Sequence, residues 1–323
     1  MSLPKISIIV PVYNSGPFLV PCLESILAQT FKDYEVLIVE DFSTDGSEKI
    51  VREYTKKYDN FRLIVPPEKG VAKARNAAIS EVRGEYIAFI DSDDRVTPNY
   101  LEVLYNTMIE KDADVVCCNY SLYFPKNNIE YKVMFRYTPV GEYTGLKAAK
   151  FAVNDFRTRN YLWNKLWKSS LFLDNNIRFP DMYFEDIATV PRALFYAKKV
   201  VAIKDSLYLY TKRRGSIMSS PDAKKVSDYV YASGILRNFF ELNGLMQNIK
   251  LLFFRFYWLI LIADIYNTFI LHIACRNFKY FFKNLSSVVK GLNYYFSGDF
   301  KVNDDGYPEY ACKILTPPQK KKK

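Results

Sequence analysis

The chain has 323 residues, 49% of them apolar, enough to bury the core of one large domain or of two modest ones. Its formal net charge of +10 favours anionic partners: phosphorylated ligands, nucleic acid or acidic lipid headgroups. A single histidine, His272, in an apolar stretch that suits a core or interfacial role, argues against histidine-based triads and His-ligated zinc. Five cysteines without metal-ligand spacing suit a reducing cytoplasm, and the start, "MSLPKISIIVPV", lacks the features of a signal peptide.

From there short apolar runs alternate with amphipathic ones. "KISIIVPV" is β-branched and predicts a strand; "PFLVPCLESILAQT" places Leu19, Cys22, Leu23, Ile26 and Leu27 at helical spacing. "YEVLIV" predicts a second strand, followed by a polar helix over "GSEKIVREYTKKY" with Ile50, Val51 and Tyr54 turned inward. "FRLIVPP" predicts a third strand and the alanine-rich "GVAKARNAAISEVR" a helix. "YIAFI" predicts a fourth strand, and "NYLEVLYNTMIEK", with Pro98 just ahead, another helix. "ADVVCCNY" predicts a fifth strand with Cys117 and Cys118 as buried thiols. Five apolar strands joined by helices describe an α/β fold, a mostly parallel sheet covered on both faces and doubly wound by right-handed crossovers.

In such sheets ligands collect at the carboxyl ends of the strands, near the switch in strand order. The residues there are "PVYNSG" after the first strand, "EDFSTDGS" after the second and "DSDDRV" after the fourth. No GxGxxG follows the first strand and no GxxxxGK[ST] is present, so a phosphate would need something other than a glycine-rich cradle. Asp91, Asp93 and Asp94 crowd like charges at one strand end. A solvated turn capping the next helix accounts for them; so does a divalent cation that bridges carboxylates and phosphates. A second acidic group on the same sheet edge, Glu40 and Asp41, favours the cation. Asp91 and Asp93 alternate and can address one ion from two sides, a hard-oxygen pair suited to Mg or Mn.

"SIIVPVYN", "VEDFSTDGS", "GVAKARN" and "FIDSDD", in this order and spacing, resemble the inverting family 2 glycosyltransferases of GT-A fold. The resemblance implies a metal-dependent enzyme that transfers a hexosyl or N-acetylhexosaminyl group, with inversion, from a UDP-sugar or related nucleotide-sugar donor. The implied acceptor is a growing bacterial surface glycan, lipid-linked. It implies Pro11, Tyr13 and Asn14 around the nucleotide base and Glu40 and Asp41 at base and ribose. The family's usual pair is Asp-Asp followed by a small residue; Glu40 and Phe42 depart from that, and Phe42 narrows the pocket. Arg75 is implied as a cation near the nucleotide, a surface helix arginine being the other reading. Asp91 and Ser92 are implied at the nucleotide, and Asp91 and Asp93 at the metal, Asp93 the more direct ligand.

The resemblance continues in "YFEDIATVPRALFYAKKV", the family's acidic pair ahead of a helix. It implies Asp186 as the catalytic base, with Glu185 next in line. One carboxylate takes the acceptor hydroxyl's proton as it attacks the anomeric carbon, while cations stabilise the departing diphosphate. A helix start neutralised by acids is compatible with the same residues. "NYLWNKLWKSSLF" resembles a segment of bacterial polysaccharide enzymes; it offers Trp163 and Asn164 to the acceptor sugar, or its tryptophans to the core. "YTKRRGSIMSS" sets Arg213 and Arg214 against the diphosphate or in a solvated basic loop.

The implied organisation is a catalytic domain over 1–221, with a nucleotide-binding half at 1–120 and an acceptor half at 121–221, then a helical, membrane-associating C-terminal extension over 222–323. From Phe256 to Cys275 the chain is apolar and near the length of a membrane span. Asp264 near its middle would cost ~2.5–3.5 kcal/mol there, so a helix on the enzyme or on the membrane surface fits better. "NFKYFFKNLSSVVKGLNYYF" follows with an aromatic stripe and flanking lysines, suited to an anionic bilayer interface or to a core or dimer contact. The expectation is a cytoplasmic enzyme, peripheral on the inner face of the cell membrane, an oligomer being compatible, with no nucleic-acid partner because no recognition motif uses the charge. A sugar nucleotidyltransferase would carry a glycine-rich loop that "PVYNSGPF" lacks. A non-catalytic nucleotide-sugar or membrane-binding subunit of a glycan-assembly complex is the alternative that Glu40 and Phe42 permit.

Overall fold

The computed structural model describes residues 3–132, 139–153, 160–213 and 223–245, with Ile262 and Val289 beyond them. Two compact units emerge: Met1–Asp181 with Thr189–Arg213, and Met182–Ala188 with Arg214–Lys323.

The first unit is built on one sheet. Its strands are β1 (Ile6–Val12), β2 (Tyr34–Glu40), β3 (Phe61–Ile64), β4 (Tyr86–Phe89), β5 (Arg95–Val96), β6 (Val115–Phe124), β7 (Ile129–Lys132), β8 (Gly141–Tyr143), β9 (Lys165–Lys168) and β10 (Val200–Thr211). They lie in the order β3-β2-β1-β4-β9-β6-β10-β5, with β7 added beside β6 and β8 beside β10. Strands β1 to β4 pair in parallel, and β6 runs parallel to β10. Among the described residues one central strand, β9, runs antiparallel to both of its neighbours, β4 and β6. β1 and β2 are buried along their whole length, as strands covered on both faces must be.

Helices α1 (Leu19–Leu27), α2 (Ser47–Lys57), α3 (Val71–Ser80) and α4 (Tyr100–Glu110) connect the parallel strands where the apolar spacing predicts them. α1 buries Leu19, Cys22, Leu23 and Ile26 on one stripe, and α4 buries Tyr100, Leu101, Leu104 and Met108. In α2 Val51 is fully buried while Ile50 and Tyr54 are half-buried at the core's edge. Two further helices, α5 (Gly145–Val153) and α6 (Ser170–Leu173), precede α7 (Glu185–Tyr196), and α8 (Ala223–Leu242) follows β10.

β9 falls in "NYLWNKLWKSSLF", which the apolar pattern does not mark as a strand. Its Lys165 is fully buried, donates to Asn164 Oδ1 at 2.7 Å and to the Tyr161 carbonyl, and so sits in the sheet without a hydrophobic signature.

In the second unit Ala232, Leu236 and Phe240 are fully buried at four-residue spacing along α8. Asp228 on the same helix accepts the Tyr183 N–H at 2.7 Å, just ahead of the Glu185–Asp186 pair. No helix among the described residues is long and apolar enough to cross a membrane. Ile262 and Val289 excepted, the apolar segment Phe256–Cys275 and the aromatic stripe after it lie outside the described residues.

Candidate active site

The order β3-β2-β1-β4 reverses direction at β1, so the crevice at its carboxyl end is the topological switch point. Register fixes what meets there: Val12 pairs with Glu40, and Ile9 with Phe89. The loops after β1, β2 and β4 therefore emerge side by side, carrying Tyr13–Gly16, Asp41–Ser47 and Asp91–Asp94.

Short hydrogen bonds stitch the first two loops together. Asn14 Oδ1 accepts the Thr44 N–H at 2.8 Å, and Asn14 N–H donates to Ser43 Oγ at 3.1 Å. Gly16 N–H donates to Asp45 Oδ2 at 2.8 Å, and Ser15 N–H to Ser47 Oγ at 3.1 Å. Ser15 Oγ lies 2.6 Å from Ser92 Oγ, which ties in the third loop. Tyr13 is 42% exposed, with Lys69 Nζ 2.7 Å from its hydroxyl and 4.0 Å from its ring centroid. Pro11 is buried in β1, opposite Val39.

Glu40 and Asp41 both turn into the protein. Glu40 Oε2 and Oε1 accept the N–H groups of Phe42 and Ser43 at 3.1 and 2.7 Å. That grip holds Phe42 at φ 58°, a left-handed conformation costing a bulky side chain ~1–2 kcal/mol, with the ring 45% exposed at the crevice edge. The longer Glu side chain in place of Asp thus serves its own loop. Both Asp41 oxygens accept the Gly70 N–H, at 2.8 and 3.1 Å, pinning the start of α3. Burial raises the Asp41 carboxyl's pKa, against the pull of that N–H and of Lys69.

The Asp91–Asp94 turn divides its acids among three partners. Arg75, buried on α3, donates through Nη2 to Asp91 Oδ1 at 3.1 Å, and its guanidinium lies 5.8 Å from the Phe179 ring centroid. Arg213 Nε stands 2.6 Å from Asp93 Oδ2, and its guanidinium 5.6 Å from the Phe18 ring. Asp94 is only 1% exposed and is spent on β10: it accepts the Tyr208 hydroxyl at 2.8 Å and the Thr211 N–H at 2.7 Å. Burial, then the charge of Asp91, push the Asp93 carboxyl's pKa up; burial, then Asp93 and Asp91, push that of Asp94 well up.

Among the described residues no three acidic, histidine or cysteine side chains converge on one point. A divalent ion here would rest on Asp91 and Asp93 and complete its shell with ligand oxygens and water. Two partly exposed hard-oxygen groups, one of them carrying an ionisation penalty that a cation would relieve, fit that role.

Trp163 and Asn164 lie in the interior of the first unit. Trp163 is 6% exposed, stacked between Tyr161 (4.5 Å, 13°) and Tyr208 (4.3 Å, 23°). Asn164 is buried and donates to the Cys118 carbonyl at 2.9 Å. Core packing accounts for both. Glu185 and Asp186 open α7 in the second unit, half-buried, with Asp186 Oδ1 accepting the Ile187 N–H at 2.8 Å, and Phe184 just before them takes φ 61°. Arg214 lies outside the described residues.

Asn76, inside "GVAKARN" but not assigned from it, clamps a distant backbone: its Nδ2 donates to the Phe179 carbonyl and its Oδ1 accepts the Phe179 N–H, both at 2.8 Å. Nothing in "LYLYT" marks Tyr208, buried in β10, as a neighbour of this turn.

Residues 7–167 match the model of the family described as Glycosyl transferase family 2. Glycosyltransferase GlyG of Streptococcus pneumoniae serotype 4 is 37% identical over 246 residues, 70% of this chain and 81% of that protein. The cholesterol galactosyltransferase of Borreliella burgdorferi is 32% identical over 81% of this chain and 76% of its own length. Among solved structures, residues 1–349 of Staphylococcus aureus TarS in complex with UDP-GlcNAc superpose with a TM-score of 0.61, covering 92% of this chain and 93% of that one at 22% identity.

Proposed function

The chain belongs to glycosyl transferase family 2, and from that premise we propose that it moves a sugar, with inversion, from a UDP-sugar to a growing bacterial glycan, using Mg or Mn. The observation that carries this reading is the turn at the switch point, where Asp91 and Asp93 stand opposite Arg75 and Arg213 with no glycine-rich cradle nearby. The donor identity draws support from the likeness in fold to TarS, whose structure holds UDP-GlcNAc. A hexosyl or N-acetylhexosaminyl group is the proposed cargo, and a lipid-linked acceptor finds its support in the relative named for cholesterol.

Asp91 and Asp93 would hold the ion, which would offset diphosphate charge when bound. Arg75 and Arg213 bring positive charge to the leaving group, where fixed cations favour charge that develops late. Tyr13 offers its exposed ring to the base, and the Phe42 ring narrows the entrance. Asp186 receives the proton of the acceptor hydroxyl on its carboxylate; this assignment draws on the acidic pair at the start of α7. Attachment to the inner face of an anionic membrane draws on the lysine-flanked aromatic pattern near residues 277–296.

Calorimetry with UDP in Mn and in EDTA tests the reading. Binding should be tighter with Mn, and Asp93→Ala should remove the difference. Equal affinity in both buffers would end the metal role of this turn.

A further inference from the structure

Three acids share the turn, yet only two meet the crevice. Asp94 is buried, and each of its oxygens already accepts a hydrogen bond from β10. Tyr208, its partner, uses both capacities of one hydroxyl: the proton goes to Asp94 Oδ2 at 2.8 Å, and a lone pair accepts the Asp91 N–H at 3.1 Å. The direction of the Asp91 bond is fixed chemically, because an N–H can only donate. A phenol can bridge a backbone donor and a carboxylate in this way; a phenylalanine cannot.

The ring itself is immobilised. Trp163 stacks on it at 4.3 Å, and Tyr100 meets its edge at 6.3 Å. Tyr100 in turn donates to the Trp163 carbonyl at 2.9 Å. On the far side, Thr211 N–H binds Asp94 Oδ1 two residues before Arg213, whose guanidinium reaches Asp93. One buried pair therefore contacts the backbone beneath Asp91 and the strand end that carries Arg213.

We propose that Tyr208 and Asp94 are positioning residues, a latch that holds Asp91, Asp93 and Arg213 in the geometry that receives the diphosphate and its ion. The inference rests on the sugar-transfer reading for what the turn binds, and on hydrogen bonds alone for the latch itself. Trp163 backs the latch only by packing on the Tyr208 ring.

The test compares wild type with Tyr208→Phe, Asp94→Asn and Trp163→Phe in three measurements: amide exchange at residues 91–94 without ligand, UDP affinity in Mn and in EDTA, and melting temperature. Tyr208→Phe should speed exchange of the Asp91 amide and cut the Mn-dependent gain in UDP affinity about ten-fold, the effect of one buried donor left unpaired. Its affinity in EDTA should fall by a smaller factor, through Arg213 alone. Asp94→Asn, whose single carbonyl oxygen cannot serve both donors, should move the same way, and the double variant should lose little more than either alone. Trp163→Phe should lower the melting temperature and leave the Mn-dependent gain in place. Wild-type exchange and an undiminished gain in Tyr208→Phe would overturn the latch. So would an equal loss of affinity in both buffers alongside a lower melting temperature, since that is a purely structural effect. If Tyr208→Phe does not fold, Asp94→Asn decides by the same criteria. If wild type itself gains nothing from Mn, the function reading fails, and the exchange measurement still decides the latch.

Discussion

Removing the Asn76 amide should unfasten the segment around Phe179. The side chain replaces a missing strand partner: one donor and one acceptor, both 2.8 Å from the backbone of one residue 103 positions away. Asn76→Ala leaves that N–H and that carbonyl without partners, and Phe179 is only 3% exposed. Each buried group left unpaired costs ~1–3 kcal/mol. Asn76 itself is half-buried, so water can recover part of the loss, and ~2–4 kcal/mol is the expected total. Urea denaturation should show this as a lower midpoint at unchanged slope. Asn76→Asp keeps the acceptor but sets a carboxylate against the Phe179 carbonyl, so it should rescue little. The Phe179 ring lies against the Arg75 guanidinium, so Asn76→Ala should weaken UDP binding as well. An unfolding free energy within ~0.5 kcal/mol of wild type, the range of ordinary surface substitutions, would show that the clamp contributes nothing.

Asp93 gives a pH signature. Its carboxyl is raised in the folded state, by burial first and then by Asp91, so its ionisation penalises the fold: stability present below about pH 4 is lost as pH rises through the folded value. Asp93→Asn should therefore melt higher than wild type at neutral pH, with the advantage shrinking as pH falls toward about 4; a lower melting temperature at neutral pH would mean that the Arg213 pair outweighs burial. Gly84→Ala would place a Cβ 2.5 Å from Ser7 N and 2.8 Å from the Ile6 carbonyl carbon, both in β1. It should cost ~1–3 kcal/mol or more by urea denaturation, and an unchanged midpoint would refute the close packing. Asp186→Asn should retain donor binding and lose about two to four powers of ten in turnover, whereas wild-type turnover would move the base to Glu185 or beyond.

The parallel half of the sheet is legible because strands buried on both faces leave apolar runs, and β1, β2 and β4 each carry one. The crevice is legible for a related reason: polar residues that follow such a run directly must emerge at its end, as Tyr13, Asp41 and Asp91 do. β9 is not, since its buried lysine is satisfied by Asn164 and the Tyr161 carbonyl, partners that only the folded chain supplies. The same holds for the division of labour among the acids. Nothing local marks Asp94 as the one that turns inward, because its partner Tyr208 is 114 positions away. Nor does a Glu at position 40 announce that it will grip its own loop and hold Phe42 left-handed.

Folding also changes the electrostatic problem that the sequence poses. With Asp94 spent on Tyr208 and Thr211, two carboxylates at the crevice face two guanidinium groups, Asp91 with Arg75 and Asp93 with Arg213. A divalent ion arriving alone would add positive charge beside two arginines. A diphosphate arriving alone would add negative charge beside two carboxylates. Arriving together they would nearly cancel, and on the proposed reading each would meet opposite charge, Asp91 and Asp93 for the ion, Arg75 and Arg213 for the phosphates. On that reading the arginines paired with the two acids are the groups best placed to hold the ion's companion.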